Sequence, residues 1–309
     1  MNLQAEVNKA GGFKNLELLA KHVVEGFIAG MHKSPFHGFS AEFAEHKIYN
    51  HGESTRHIDW KLYAKTDKLF TKRYDEETNL RCHIIMDNSS SMHYPMIKEQ
   101  RLDHFNKIGF SALATASVMH MLKKQRDAVG LSIYSDAYDF YAPEKGSERH
   151  HRMLIDHLNK MVASSPKKKE TKTYDYLHVI AEKIHRRSLI FLFTDMFEAD
   201  IENDKLFEAL RHLKHNKHDV VLFHVFDKDK EQAFNFDNRP KRFEDVETGE
   251  YINLYSENIQ EDYQKAIAEY FNTIRLKCGQ YQIKYVEADI NQGFDKILTT
   301  FMIERQKFR

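Results

Sequence analysis

From residue 80 onward, the apolar residues recur with two periods, which together predict alternating strands and helices. Short apolar runs bounded by polar residues predict strands at residues 81–87, 128–134, 188–194, 219–226 and 281–287, with an extra edge strand at 137–141. Apolar positions at helical spacing predict helices at residues 97–124, 147–163, 174–186, 201–215, 258–278 and 292–306. This alternation favours the α/β class, with a mainly parallel sheet flanked by helices.

The N-terminal part of the chain has a different pattern. Apolar residues between 16 and 28 have helical spacing and predict a leading helix. Residues 36–79 interleave aromatic and basic side chains and predict a small strand-rich subdomain, in which the single tryptophan, Trp60, is expected to pack as an anchor. We therefore predict an N-terminal helix and strand-rich region at residues 1–79, followed by an α/β domain at 80–309.

Two segments interrupt the regular alternation of the second region. The polar, lysine-rich run at residues 164–169 predicts a solvated linker. Residues 229–256 contain a proline and a glycine and predict an insertion with a short hairpin around residues 247–250. An excursion of this length beside a regular sheet is a candidate contact surface.

Composition narrows the class of protein without identifying a partner. The chain has 46 Lys and Arg against 46 Asp and Glu, so net charge gives no reason to expect nucleic acid or anionic lipid. No apolar run approaches the roughly 20 residues of a membrane helix, and the first residues do not form a secretory signal. Cys82 and Cys278 are far apart in the chain and predict reduced thiols, so we expect a cytoplasmic location.

The candidate chemistry lies at the ends of two predicted strands. The first run ends in a DxSxS sequence formed by Asp87, Ser89 and Ser91, and a later run ends in Asp195. Parallel strands that both end in aspartate can bring their carboxylates together at one edge of the sheet. Thr171 and Thr173 lie in a loop between the two and add further hydroxyls. Oxygen ligands of this kind suit a hard cation such as magnesium.

Other chemistries have weaker support. The chain has 19 histidines, including His150, His151, His178 and the run His212, His215 and His218. They are scattered without a HExxH pattern, so surface histidine is preferred over a zinc site. The chain has no GxSxG sequence and no GxxxxGK[ST] loop, which argues against a hydrolase elbow and against an ATPase.

The order of these motifs resembles a known family. DxSxS, a threonine loop and a later strand-end aspartate are similar to the metal-ion-dependent adhesion site of von Willebrand factor A domains. Upstream residues resemble the signature of the domain of unknown function fifty-eight family, in these segments: Gly38-Phe39-Ser40, Glu42-Phe43, Tyr49-Asn50-His51-Gly52-Glu53, Arg56-His57-Ile58-Asp59-Trp60-Lys61, Ala64 and Lys72-Arg73-Tyr74-Asp75-Glu76-Glu77. The family usually has Gly-Asp where this chain has Gly52-Glu53.

The resemblance implies a von Willebrand factor A-like fold and a non-enzymatic interaction module. It implies that Ser89 and Ser91 coordinate a divalent cation directly, while Asp87 and Asp195 act directly or through water. Thr171 is the expected third-loop ligand, with Thr173 as the alternative. Magnesium is the expected cation, with manganese or calcium as alternatives. The implied partners are a MoxR-type AAA+ ATPase and a client protein, in chaperone or complex-assembly work.

Two functions from other classes remain open at this point. A metal-dependent hydrolase would use Asp87 and Asp195, but it also needs a base and a group to hold the electrophile. A nucleic-acid binder would use the aromatic and basic residues at 60–74, although no nucleic acid is expected from the net charge.

Overall fold

The structure, a computed structural model, describes most of the chain, and every structural statement below concerns the described residues. They are residues 15–31, 46–48, 60–66, 68–72, 80–97, 100–101, 104–135, 138–164, 173–196, 205–237, 239–244 and 250–307. Several predicted features lie outside them: nearly all the upstream family segments, most of the polar run 164–169, and Thr171.

The described residues form ten strands and eight α-helices. The strands are β1 (His46–Ile48), β2 (Phe70–Lys72), β3 (Arg81–Asp87), β4 (Ala128–Tyr134), β5 (Tyr138–Lys145), β6 (Leu189–Thr194), β7 (Asp219–Phe226), β8 (Pro240–Glu244), β9 (Tyr251–Tyr255) and β10 (Lys284–Asp289). The helices are α1 (Leu16–Met31), α2 (Trp60–Thr66), α3 (Lys107–Lys124), α4 (Glu148–Val162), α5 (Thr173–Lys183), α6 (Lys205–His215), α7 (Gln260–Gln280) and α8 (Asp295–Gln306).

Six strands form one sheet in the order β10-β7-β6-β3-β4-β5. All neighbouring pairs are parallel except β4 and β5, which pair antiparallel at the edge. The central strands are apolar on both faces, and every residue of β6 is buried, as expected for a sheet covered on two sides. The predicted α/β class, the mainly parallel sheet and the leading helix are therefore confirmed.

Two apolar cores lie on opposite faces of this sheet. Side chains of α1, α3, α4 and α8 form the first core with alternate residues of the strands, such as Ile84 and Met86 of β3. Helices α5, α6 and α7 form the second core with the other strand face, which includes Ile85. Since successive residues of a strand point to opposite faces, one apolar strand supplies both cores.

Several predicted boundaries differ from the observed ones, and two of the differences have a clear local reason. The helix predicted at 97–124 begins at Lys107, because the Asn106 side chain accepts the Gly109 N–H at 2.9 Å and caps the helix there. The strand predicted at 281–287 is observed at Lys284–Asp289, because α7 continues to Gln280. The chain then leaves that helix through Gln282, which has a φ of 55°.

The predictions about the burial of Trp60 and of three histidines are also wrong. Trp60 is 62% exposed and contacts Tyr63 edge to face, so it is no buried anchor. His150, His151 and His218 are buried rather than at the surface. His150 pairs with the Val129 carbonyl at 2.9 Å, and His218 accepts the Ser188 N–H at 3.1 Å, so their imidazoles satisfy backbone groups. Strands β8 and β9 pair antiparallel, as expected for the predicted hairpin, while residues 247–249 of its turn lie outside the described residues.

Candidate metal centre

Neighbouring strands β3 and β6 bring the two predicted acids to one edge of the sheet. The strands are parallel, with Met86 opposite Phe193, so Asp87 ends β3 level with Thr194 and one residue before Asp195. The Thr194 hydroxyl donates to Asp87 Oδ2 at 2.8 Å, which links the two strand ends directly. Asp87 and Asp195 are only 3% and 2% exposed, so both carboxyl groups are removed from bulk water.

The loop after β3 places two serine hydroxyls beside Asp87. The Ser89 N–H donates to Asp87 Oδ1 at 2.8 Å, which folds the loop back onto the end of its own strand. Ser91 begins a short 3-10 turn, and its Oγ lies 3.0 Å from Ser89 Oγ. The Asn88 N–H donates to the Tyr134 carbonyl at 2.8 Å and fixes the loop to β4.

This spacing of the hydroxyls fits a magnesium ion. Adjacent oxygen ligands of an octahedral magnesium, each about 2.1 Å from the ion, lie about 3.0 Å apart. Ser89 Oγ and Ser91 Oγ, which share a hydrogen bond, are 3.0 Å apart, so a cation could replace that bond without moving either oxygen far. No three His, Cys, Asp or Glu side chains in the described residues are arranged to bind a metal ion, so a cation here would have to be held through hydroxyl as well as carboxylate oxygens.

The electrostatics of Asp87 also favour a cation. Burial, and then the negative charge of Asp195, raises the pKa of Asp87 to about 7, although hydrogen bonds from Ser89 and Thr194 oppose this change. Its hydrogen-bond donors are neutral groups: the Ser89 N–H, the Thr194 hydroxyl and the Ser89 hydroxyl. A divalent cation beside Asp87 would stabilise the ionised carboxylate that burial disfavours.

Asp195, in contrast, already has a counter-ion that the sequence did not reveal. Lys107 Nζ lies 2.8 Å from Asp195 Oδ2 and 2.5 Å from Glu231 Oε1, and the lysine is 1% exposed. Burial acts to lower the pKa of Lys107, but the charges of Asp195 and Glu231 outweigh it and raise that pKa above its ordinary value. Burial also raises the pKa of Glu231, against the opposing effect of Lys107. Because Lys107 remains charged, the centre contains a permanent ammonium group.

The third predicted loop is not located by the structure. Thr171 lies outside the described residues, and Thr173 is described only as the first residue of α5, without its side chain. The assignment of the threonine ligand therefore stays a prediction.

Other groupings of reactive side chains do not form a second centre in the described part of the chain. His178 on α5 and His212 on α6 approach to 3.0 Å between their Nδ1 atoms, which sequence spacing did not suggest. Two imidazoles alone fall short of the three protein ligands that a catalytic zinc site uses.

A serine, a histidine and a glutamate also share hydrogen bonds elsewhere in the sheet. His83 Nε2 lies 2.7 Å from Ser132 Oγ, and its Nδ1 lies 2.6 Å from Glu144 Oε1. This order of bonds resembles that of a hydrolytic triad. However, Ser132 and the side chains of the other two are fully buried, at 0% exposure, so no substrate can reach the hydroxyl. The three side chains form a structural network.

The residues that sequence reasoning missed are Thr194, Lys107 and Glu231. Thr194 had a signal, because it immediately precedes the strand-end Asp195. Lys107 and Glu231 had no such signal. Lys107 is 88 residues from Asp195 in the sequence, and Glu231 is 124 residues from Lys107.

The fold and this centre together define an α/β domain with a cluster of hydroxyl and carboxylate oxygens at the carboxyl edge of a mainly parallel sheet. The chain belongs to the family described as "Protein of unknown function DUF58", whose model matches residues 45–272. The resemblance to this family is thereby confirmed. No described helix has the length and apolar composition needed to cross a bilayer.

Relatives and solved structures are more distant. "Uncharacterized protein Rv1480" of Mycobacterium tuberculosis is 23% identical over 146 residues, which is 47% of this chain and 44% of that protein. The chain thus spans less than half of this relative.

Among solved structures, "conserved hypothetical protein BatB" of Bacteroides thetaiotaomicron matches with 12% identity and a TM-score of 0.44, over 74% of this chain and 99% of that one. The "SpRpn10 VWA domain" matches with 14% identity and a TM-score of 0.35, over 72% and 94%.

Proposed function

We propose that this protein is a non-enzymatic, metal-dependent protein-interaction module. In this proposal Asp87, Ser89, Ser91 and Asp195, with Thr171 from the third loop, hold a divalent cation, most simply magnesium, with manganese or calcium as alternatives. The cation docks a MoxR-type AAA+ ATPase, which acts on a client protein in chaperone or complex assembly. The two free and buried thiols suit a cytoplasmic setting.

One observation carries the metal site. A buried carboxylate with neutral hydrogen-bond donors, Asp87, lies beside two hydroxyl oxygens at the spacing of adjacent magnesium ligands. Burying such a carboxylate without a compensating charge is unfavourable, and a bound cation removes that cost.

The composition of the site then favours an external ligand. Ser89 and Ser91 are neutral, and Asp195 is paired with Lys107, so the protein compensates a divalent charge only in part. Magnesium usually keeps several exchangeable positions, one of which a carboxylate from a partner can fill. The choice of a MoxR-type ATPase as that partner rests on the family resemblance alone.

Cation binding is tested first and without a partner. Isothermal titration of wild-type protein with magnesium, manganese and calcium is compared with Asp87→Asn, which is expected to lose binding. Asp289→Asn is the matched control, because Asp289 ends β10 at the same edge, is 7% exposed, and accepts from the Asn291 and Lys228 N–H groups. Equal cation affinity in wild type and Asp87→Asn would refute the site.

Docking is tested with a purified MoxR-type ATPase immobilised and presented with wild type, Asp87→Asn or Asp289→Asn, always in magnesium. The three proteins share one buffer, so any magnesium requirement of the ATPase itself is constant. We expect capture of wild type and Asp289→Asn but not of Asp87→Asn. Capture of all three would contradict metal-mediated docking. Phosphoesterase turnover that is lost with Asp87→Asn would instead support the hydrolase.

A further inference from the structure

The least expected feature of the candidate metal centre is the ammonium group of Lys107. We propose that Lys107 is a built-in counter-cation that competes with the divalent cation for Asp195 and keeps cation affinity low. Glu231 limits this competition because it forms an ion pair with the same ammonium group. The proposal rests on the metal site proposed above and adds a device that sets its affinity.

The placement of Lys107 is energetically costly unless its charge is compensated locally. It is the first residue of α3, where the positive end of the helix dipole disfavours a cation. It is also 1% exposed, so water does not solvate the ammonium. Asp195 and Glu231 provide the compensation, and the ring of Tyr94, with its centroid 5.9 Å from Nζ, adds a weak cation–π contact.

The ammonium lies where a divalent cation would approach Asp195, and it neutralises the negative charge that would attract that cation. It lies 2.8 Å from Asp195 Oδ2, so a second cation bound to that oxygen would be repelled at short range in a poorly screened interior. The groups that donate hydrogen bonds to Asp87 are neutral, so Asp87 remains the stronger anionic ligand. Removing the ammonium would make both carboxylates available.

Glu231 is held in place independently of Asp195. Its Oε2 accepts the Asp227 N–H at 2.6 Å, and its carbonyl accepts the Tyr263 hydroxyl at 2.8 Å. The five-residue π-helix Lys228–Gln232, which follows β7, thus carries Glu231 to the ammonium on a fixed backbone. If Glu231 lost its charge, Lys107 would pair with Asp195 alone and would oppose a divalent cation more strongly.

The two substitutions are therefore expected to act in opposite directions. The probe is manganese, whose affinity is measured by isothermal titration and by the loss of the free-ion paramagnetic resonance signal. We expect Lys107→Met to bind manganese at least about tenfold more tightly than wild type, the equivalent of about 1.4 kcal/mol. We expect Glu231→Gln to bind it several-fold more weakly. In the Lys107→Met background, Glu231→Gln should weaken manganese binding less than it does in wild type, because only the direct effect of the Glu231 charge on Asp195 remains.

Lys123→Met is the matched control. Lys123 lies on the same helix, is 30% exposed, and pairs with Glu17 and Glu148 at the surface, so its removal should leave manganese affinity unchanged. Folding of each variant is checked by circular dichroism, because the loss of Lys107 leaves two buried carboxylates facing each other. If Lys107→Met does not fold, Lys107→Gln, whose neutral amide can still donate to Asp195 and Glu231, takes its place, and the same tightening of manganese binding is expected.

The outcomes separate this proposal from the one it rests on. Manganese binding by wild type that Asp87→Asn abolishes, together with unchanged or weaker binding by folded Lys107→Met, overturns the competition alone. Tighter binding by Glu231→Gln also overturns it. If wild type, Lys107→Met and Glu231→Gln all fail to bind manganese, the metal site itself is wrong and the competition falls with it.

Discussion

Asp87→Asn should stabilise the fold at neutral and higher pH when no divalent cation is present. The substitution removes a charge that is buried beside Asp195, and it keeps the shape of the side chain. The asparagine Oδ1 can still accept the Ser89 N–H, and its Nδ2 can donate to the Thr194 hydroxyl, whose direction reverses. The same residue that we expect to bind the cation therefore costs stability in its absence.

The size of the effect follows from the pKa of Asp87. An ordinary aspartate has a pKa of about 3.9, and burial followed by the charge of Asp195 raises that of Asp87 to about 7. Ionising Asp87 in the folded state therefore costs roughly 4 kcal/mol at high pH. After allowance for weaker hydrogen bonds in the variant, we expect a net gain of roughly 2 to 3 kcal/mol.

The pH dependence gives the sign of the effect. Between about pH 4 and pH 7 the folded protein holds a proton on Asp87 that the unfolded chain has lost, so wild-type stability falls as pH rises through this window. Above it the penalty is fully present, and below it the penalty disappears. Asp87→Asn should therefore exceed wild type at about pH 8 and nearly equal it at about pH 4.

Urea unfolding in chelator at these two pH values measures the difference directly, with m-values compared to check that the transition is unchanged. Asp289→Asn is expected to lack the gain at high pH. Added magnesium should stabilise wild type and not Asp87→Asn, since only a protein that binds a ligand in its folded state is stabilised by it. A variant that is less stable than wild type at about pH 8, or equally improved at both pH values, would refute the reasoning.

Three further predictions concern other parts of the chain. Thr171→Val should weaken magnesium binding, measured by calorimetry, more than Thr173→Val; the reverse ranking would move the ligand by two residues. Glu144→Gln should cost about 1 to 3 kcal/mol in urea unfolding, because it weakens the buried hydrogen bond between the Glu144 carboxylate and His83 Nδ1. Burial acts to raise the pKa of Glu144, but the hydrogen bond and charge of His83 outweigh it and lower that pKa, so the stability that this contact contributes is lost as the pH falls. If Glu144→Gln unfolds in acid with the same pH dependence as wild type, the contact does not contribute in this way. Asn106→Ala should cost about 1 kcal/mol by the same assay through loss of the α3 cap, and no loss would exclude that role.

The local pattern of the sequence was sufficient to predict the sheet and part of the centre. Burial of β3 and β6 on both faces requires continuous apolar runs, which are visible without any knowledge of the fold. The sequence also placed Asp87, Ser89 and Ser91 on one loop. The proximity of Asp195 could be expected because parallel strands end at the same edge.

Element ends and side-chain environments were less predictable. The start of α3 at Lys107 depends on the cap formed by Asn106, and the late start of β10 depends on how far α7 continues. Trp60 is exposed although it is large and apolar. The prediction of a buried anchor failed because composition does not show which side of a short helix faces the rest of the chain. The histidines were assigned to the surface, yet His150 and His218 satisfy buried backbone groups.

The α/β class, the leading helix and the acids and alcohols at two strand ends could be predicted from the chain alone, because each depends on the pattern of neighbouring residues. The contacts of Lys107 with Asp195 and Glu231 arise only on folding, since 88 and 124 residues separate the contacting pairs. A charge shared by three distant segments depends on strand order and on the path of the segment after β7. No short-range pattern records either one.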